Sequence, residues 1–277
     1  MKLGLVGYPV GHSLSPWIHE RLMEQQNVSG TYELFETSPE SFDSYIETLK
    51  KEGLDGFNVT VPYKETIIPH LTDLDDSARV LGAVNTVKQT ERGWIGYNTD
   101  GIGFVDSIKN RFPERLHNEA QILMLGSGGA ARGIYHALIQ SGVARVDVAN
   151  RTPAKAEALL EMNDTMVKSK ALDLQEAEED LARYDVVIQT TSVGMSPNHN
   201  QAIISLKRLK PGAVVSDIVY RPMETAFLID AKAQGASLHY GHEMLLQQAV
   251  YAFKIWTGTN PDAFKLLDEF ESKLKGV

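Results

Sequence analysis

The stretch Ile122-Leu-Met-Leu-Gly126-Ser127-Gly128-Gly129-Ala130-Ala131 is an apolar run passing directly into G-x-G-x-x-A and then a helical pattern. In such a motif Gly126 permits a tight turn and Gly128 lets a pyrophosphate approach the backbone. Ala131 permits close packing of helix on sheet, and the helix N-terminus offers N–H groups and a positive dipole end to phosphate. A glycine string alone is weak evidence; its place between strand and helix is what gives it weight. About 20 residues further on, an NAD site places Asp or Glu against the ribose 2′-hydroxyl. Here the sequence reads Asn150-Arg151-Thr152, with no acid at that tip. Arg151 can pair with a 2′-phosphate and lie over the adenine, with Asn150 and Thr152 as further donors. The pattern selects NADP. The plainer alternative makes Thr152-Pro153 a helix cap beside a solvated arginine, and Thr152 can serve both purposes.

A second set of polar residues suits a small ligand. In Gly56-Phe-Asn58-Val-Thr60-Val-Pro62-Tyr-Lys64, Asn58 and Thr60 share one face of a strand, and Lys64 follows at the expected start of a helix. Ser13 and Ser15, Asn85, and Asn98-Thr99-Asp100 add hydroxyls, amides and a carboxylate. Asp100 also suits a helix N-cap, and Ser13-Leu14-Ser15 a loop with a cap. Gln248 is the one polar member of the helical stripe Leu245, Gln248, Ala249, Ala252, Trp256 and needs a buried partner. Together these donors fit a polyhydroxylated ligand that carries a carboxylate. Reduction of a carbonyl needs a hydride and a proton. The Lys64 ammonium can stabilise the developing oxyanion and protonate it, with Asp100 orienting that ammonium.

The elements that must position these groups can be read from periodicity. Strands are expected at residues 3–6, 32–35 and 56–61, with a hairpin formed by 83–88 and 94–97. Ser15-Pro16 opens a helix, with Ser15 as its cap. Phe42, Tyr45, Ile46 and Leu49 recur at helical spacing, and a helix is expected over 100–111. After a break at 113–118, strands at 122–125, 146–149, 185–189, 213–217 and 237–240 alternate with helices at 132–140, 153–161 and 225–234. That alternation argues for a parallel, doubly wound sheet. Helices over 244–256 and 261–275 follow the last strand and are expected to return to the first domain.

Composition limits the partners. The 277 residues suffice for two α/β domains, and the fractions of apolar (43%) and charged (23%) residues are those of a globular protein. The net charge of −9 disfavours nucleic acid and anionic membranes, so a small-molecule substrate is the expected partner. No cysteine is present, which excludes disulfides and thiolate chemistry. The eight histidines show no paired ligand spacing, so no metal is expected. The apolar start is too short for a signal sequence, and a cytoplasmic location follows by default.

These residues resemble the shikimate dehydrogenase family over essentially the whole chain. The resemblance rests on Ser13-Leu-Ser15-Pro16, Asn58-Val-Thr-Val-Pro-Tyr-Lys64, Gly82-Ala-Val-Asn85 and Asn98-Thr-Asp100. It continues through the glycine motif, Asn150-Arg-Thr152, Thr191-Ser-Val-Gly-Met195, Asp217-Ile-Val-Tyr220 and Met244-Leu-Leu-Gln-Gln248. It implies NADPH-dependent reduction of 3-dehydroshikimate, in the route to aromatic amino acids. It also implies two domains with the active site in the cleft between them: residues 1–101 with 242–277 for substrate, and 102–241 for NADP. Lys64 and Asp100 would be the catalytic pair, with Ser13, Ser15, Asn58, Thr60, Asn85, Tyr220 and Gln248 holding substrate. Ser127, Gly129 and Ala130 would join the other glycine-loop residues on the cofactor, Ile218 and Gly241 would lie near the nicotinamide, and Asp76 would approach the cofactor. A monomer or homodimer is expected. Gln189 departs from the family, which commonly has Asn there, and puts the local cofactor-loop contacts in question. Two alternatives stay open, a quinate/shikimate dehydrogenase of broader specificity and a non-catalytic NADPH-binding regulatory module.

Overall fold

The structure, a computed structural model, describes residues 1–276. It divides into two compact units, Met1–Thr99 together with the chain from Gln248 onward, and Asp100–Gln247.

The first unit contains β1 (Lys2–Gly7), α1 (Ser15–Gln26), β2 (Thr31–Glu36), α2 (Phe42–Leu49), β3 (Gly56–Val59), β4 (Asp73–Leu74), α3 (Asp76–Leu81), β5 (Thr86–Thr90) and β6 (Gly93–Tyr97). Its sheet has the order β2-β1-β3-β5-β6-β4. β1 runs parallel to β2 and β3, whereas β3, β5 and β6 pair antiparallel. The amphipathic stripe of α2 buries Phe42, Ile46 and Leu49 against Phe57, Val59 and Val87 of the sheet.

Three local expectations change. β3 stops at Val59: Thr60 N–H still bonds the Val6 carbonyl, but the Thr60 carbonyl accepts from Tyr63 N–H and closes a turn. Lys64 therefore sits in a turn and not at the start of a helix; only a short 3-10 segment, Ile68–His70, follows. Ser15 is the first residue of α1 and not its cap, since Leu14 holds the cap position and Ser13 Oγ accepts from Ser15 N–H at 3.2 Å.

The second unit contains α4 (Asp100–Arg111), β7 (Gln121–Leu125), α5 (Gly129–Gln140), β8 (Arg145–Ala149), α6 (Pro153–Leu160), β9 (Ala171–Leu172), α7 (Leu174–Glu179), β10 (Val186–Gln189), β11 (Val214–Asp217), α8 (Ala226–Ala233) and β12 (Ser237–Tyr240). All its strands are parallel, in the order β12-β11-β10-β7-β8-β9. Alternate side chains pack on opposite layers. Ile122, Met124, Val146 and Ile188 meet Phe104, Ile108, Ile134 and Leu138. Leu123, Leu125, Val187 and Val215 meet Leu181, Leu206, Phe227 and Leu228. Burial on both faces is why these strands read as unbroken apolar runs. The order reverses between β7 and β10, and a crevice at the carboxyl ends of such neighbouring strands is where doubly wound sheets take ligands.

The unit boundary falls inside α9 (Gly241–Thr257), and α10 (Phe264–Lys275) follows. The end of α9 belongs to the first unit, where Trp256 Nε1 donates to the Val87 carbonyl at 2.9 Å. α10 joins it there, with Phe270 stacked on Trp17 at 5.4 Å. Of the expected α9 stripe, Ala249, Ala252 and Trp256 are buried, whereas Leu245 and Gln248 are half-buried.

Candidate active site

The glycine turn of the second unit has the geometry a dinucleotide needs. Gly126 has φ +111°, and a Cβ there would lie 2.6 Å from Thr191 Cγ2 and 2.7 Å from Thr190 Oγ1. Gly128 and Gly129 differ: a Cβ on either would meet nothing within 4 Å. The backbone at these two positions is therefore open to an approaching group. Gly128 caps α5 without any side chain, so the first N–H groups of that helix keep their capacity to bind an anion. Ala131 is fully buried under the helix. Asn150 Nδ2 donates to Ser127 Oγ, tying the tip of β8 to the glycine turn.

The tip of β8 presents no carboxylate. The acid on that strand, Asp147, is buried, bonded to Tyr184 Oη at 2.9 Å and paired with Arg145 at 3.1 Å. Arg151 is exposed, and among the described residues it forms no ion pair. Thr152 occupies the cap position of α6, but its side chain makes no cap hydrogen bond. The residues thus fit a 2′-phosphorylated dinucleotide: an open backbone cradle, an uncapped helix end and an exposed guanidinium. Ile218 follows β11, and Gly241 packs so closely on it that a Cβ would lie 2.3 Å from the Ile218 carbonyl oxygen. Ala130 and Tyr220 are half-buried in the same unit. Asp76 is exposed at the start of α3 and belongs to the first unit.

In the first unit, Ser13 Oγ donates to Ser15 Oγ at 3.2 Å. Lys64 is half-buried, and its carbonyl accepts from Val84 N–H at 2.7 Å, which pins the turn beside β5. Thr60 is half-buried at the preceding bend. Asn58 departs from expectation because its amide is committed to the sheet. Its oxygen accepts from Tyr32 Oη at 2.7 Å, and its Nδ2 donates to the Asn85 carbonyl and Thr86 Oγ1, both at 3.1 Å. Asn58 is buried on β3, so these bonds tie its amide to the neighbouring strands. Asn85 continues the network: its oxygen accepts from Thr99 N–H at 2.9 Å and its Nδ2 donates to Thr99 Oγ1 at 3.0 Å. Thr99 immediately precedes Asp100, the first and half-buried residue of α4 in the second unit.

The same unit holds a histidine that sequence reasoning passed over. His19 is fully buried, stacked on Tyr32 at 4.4 Å, with neither ring nitrogen hydrogen-bonded. Burial pushes its pKa down to about 3, opposed only in part by the neighbouring Asn58 side chain. Among the described residues no cluster of side chains could hold a metal ion, and no helix is long and apolar enough to cross a membrane.

A parallel doubly wound unit with this glycine turn, in one chain with a second α/β unit rich in polar donors, defines a two-domain nucleotide-dependent oxidoreductase. Family models agree segment by segment: a shikimate dehydrogenase substrate binding domain over residues 5–87, shikimate/quinate 5-dehydrogenase over 107–220, and a shikimate 5′-dehydrogenase C-terminal domain over 241–263. The chain is 49% identical to a shikimate dehydrogenase (NADP(+)) of Oceanobacillus iheyensis, covering 100% of this chain and 99% of that one. It therefore belongs to the shikimate dehydrogenase family. A solved shikimate 5-dehydrogenase from Thermus thermophilus, in complex with NADP(H) and shikimate, matches with a TM-score of 0.84 at 33% identity, over 95% of each chain. A quinate dehydrogenase from Corynebacterium glutamicum in complex with NAD matches with a TM-score of 0.87 at 30% identity, over 98% of this chain and 99% of that one.

Proposed function

We propose that this protein reduces 3-dehydroshikimate to shikimate, reversibly, with NADPH as cofactor, in aromatic amino-acid biosynthesis. The observation that carries the reading is the end-to-end similarity to an NADP(+)-dependent shikimate dehydrogenase at 49% identity, with Lys64, Asp100, the glycine turn and Arg151 all present. The first unit with the end of the chain serves the substrate, and the second unit serves NADP. The enzyme works in the cytoplasm as a monomer or homodimer.

When bound, the reduced nicotinamide supplies the hydride for the substrate's carbonyl carbon. The chain's own task is the oxygen. As negative charge develops there, the Lys64 ammonium stabilises it and donates the proton that completes the hydroxyl. Asp100 accepts from that ammonium and from a substrate hydroxyl, which orients both. Ser13, Ser15 and Tyr220 donate to the substrate carboxylate, and Thr60, Asn85 and Gln248 to its ring hydroxyls. Asn58 acts through Asn85 rather than on the ligand. Glycine-loop residues 126–130 hold the pyrophosphate, with Asn150, Arg151 and Thr152 on the 2′-phosphate. Ile218 and Gly241 bound the nicotinamide end.

NADP⁺ reduction by the purified protein is measured with shikimate, with quinate and NAD⁺ as controls. Fast turnover confined to shikimate and NADP⁺ supports the reading. Comparable rates with quinate or NAD⁺ move the protein to the broader branch that the C. glutamicum enzyme represents. Cofactor binding without any turnover replaces the reading with a regulatory role.

A further inference from the structure

Strand order gives the bound dinucleotide a direction. On the NADP reading, Arg151 at the end of β8 marks the 2′-phosphate, and the glycine turn at the end of β7 marks the pyrophosphate. The neighbouring strands continue β8, β7, β10, β11. The far half of the molecule, the nicotinamide ribose and ring, must then extend over the carboxyl ends of β10 and β11. Two loops leave the sheet at those ends, one starting at Thr190 and the other at Ile218.

Both loops are held from beneath by the same pair of side chains. Asp217 ends β11 and is completely buried, with no ion pair to its carboxylate among the described residues. Its Oδ1 accepts from Val219 N–H at 2.9 Å and from Gln189 Nε2 at 3.2 Å. Its Oδ2 accepts from Thr225 Oγ1 at 2.6 Å, and Thr225 in turn caps α8. Gln189 ends β10 and grips the other loop from both sides, donating to the Val193 carbonyl at 3.0 Å and accepting from Thr191 N–H. Thr190 anchors the start of that loop on the Leu125 carbonyl through N–H and Oγ1, at 2.9 and 2.8 Å. That carbonyl adjoins Gly126. A continuous set of contacts therefore runs from the glycine turn, through Gln189 and Asp217, to the backbone that carries Ile218.

We propose that Asp217 and Gln189 are positioning residues that fix the nicotinamide half of NADP(H) for hydride transfer by locking the two loops beneath it in one geometry. An unpaired carboxylate in a sheet interior is costly, and burial does push the Asp217 carboxyl up to about 6. Stability alone would favour an apolar residue between Val215 and Val219. What the carboxylate adds is three directed hydrogen bonds in a low-dielectric setting, reaching two loops and a helix cap that make no regular ladder with one another. The length of Gln189 matters for the same reason, because one side chain spans from Asp217 to the 191–193 backbone. The departure from Asn at this position thus extends the hub.

The test is binding, separated by ligand half. Dissociation constants for NADPH and for adenosine 2′,5′-bisphosphate are measured on wild type, Asp217→Ala, Asp217→Asn and Gln189→Met, with kcat for shikimate oxidation beside them. Asp217→Ala should weaken NADPH by roughly tenfold, the effect of one or two lost hydrogen bonds, and lower kcat. The bisphosphate, which lacks the nicotinamide half, should bind within about twofold of wild type. Asp217→Asn keeps the acceptor oxygen for Val219 and Gln189 and should recover most of both losses. If Asp217→Ala does not fold, Gln189→Met, of similar length without the amide, carries the same expectation. Equal weakening of both ligands, or no change in either, overturns the proposal. A wild-type protein that binds neither ligand overturns instead the NADP reading on which it rests.

Discussion

Replacing Arg151 with Gln isolates the residue proposed to select the cofactor. Gln keeps the stem that can lie over the adenine and removes the charge and the fork of donors. Arg151 is exposed and forms no ion pair among the described residues of an acidic chain of 27 basic and 36 acidic residues, so no such pair must break before it meets a phosphate. A hydrogen bond to a charged group is worth about 1.5–3 kcal/mol, and solvent screening at an exposed site selects the lower end. The expected loss is therefore about 1.5 kcal/mol, roughly a tenfold rise in KM for NADP⁺. NAD⁺ has no 2′-phosphate, and its KM should move by less than about twofold. Steady-state kinetics with each cofactor at several salt concentrations provide the assay. The wild-type KM for NADP⁺ should rise with ionic strength and that of the variant should rise less. If Arg151→Gln alters both cofactors equally, or neither, Arg151 does not read the 2′-phosphate.

Lys64→Ala should lower kcat by about 10²–10⁴-fold, the usual worth of general acid catalysis, while NADPH affinity measured by titration stays within about twofold. Near-full turnover would remove Lys64 from the mechanism. The first two glycines of the turn should fail differently. Gly126→Ala places a Cβ at φ +111° against Thr190 and Thr191 and should lower the unfolding temperature, whereas Gly128→Val meets open space and should leave that temperature unchanged while abolishing NADP⁺ binding. Acid stability follows from His19 and His239, both buried and held neutral with pKa values near 3 against 6.5 unfolded, burial being the main cause for each. The unfolded chain binds the extra protons, so each contributes stability that is whole above pH 6.5 and lost as pH falls toward 3, at about 1.4 kcal/mol per unit. His19→Phe, which keeps the stacking on Tyr32, should flatten the stability–pH slope across that window, as read from denaturant midpoints; an unchanged slope would refute the assignment.

The second unit was the more legible in sequence because its strands are covered on both faces and its cofactor residues lie close together in the chain. The run 122–125 and the turn after it declare strand, turn and helix within ten residues of one another. Short elements escaped. β9 is two residues long, and α7 is announced only by the capping box Asp173–Glu176, a signal present in the sequence but followed by no apolar stripe long enough to read as a helix. β4 and α3 escaped in the same way, although Asp75 caps α3 from its side chain. Asn58 shows the limit of alternation itself. Period-two patterning reveals that a strand has a polar face, but whether that face meets solvent, a ligand or another layer depends on what packs over it. The partnership of Asp217 with Gln189 was invisible for a related reason, since it joins two strands separated by 28 positions in the chain.

The two halves of the site therefore rest on different physics. On the cofactor side the groups proposed to bind are backbone N–H donors and an exposed guanidinium, set by a local turn, a helix end and a strand tip. On the substrate side the proposed groups come from segments around Ser13, Lys64, Asn85 and Gln248, and what aligns at least one of them is interior. Tyr32 holds Asn58, Asn58 holds the backbone of Asn85, and the Asn85 amide holds Thr99. Each of these bonds replaces hydration that a buried amide would otherwise lose, so breaking one leaves an unsatisfied partner at a cost of about 1–3 kcal/mol. Substitutions on the cofactor side should accordingly change affinity with little change in stability, as at Gly128. Those along the Tyr32–Asn58–Asn85 line should change both together, because there the scaffold's hydrogen bonds also hold a residue proposed to bind substrate.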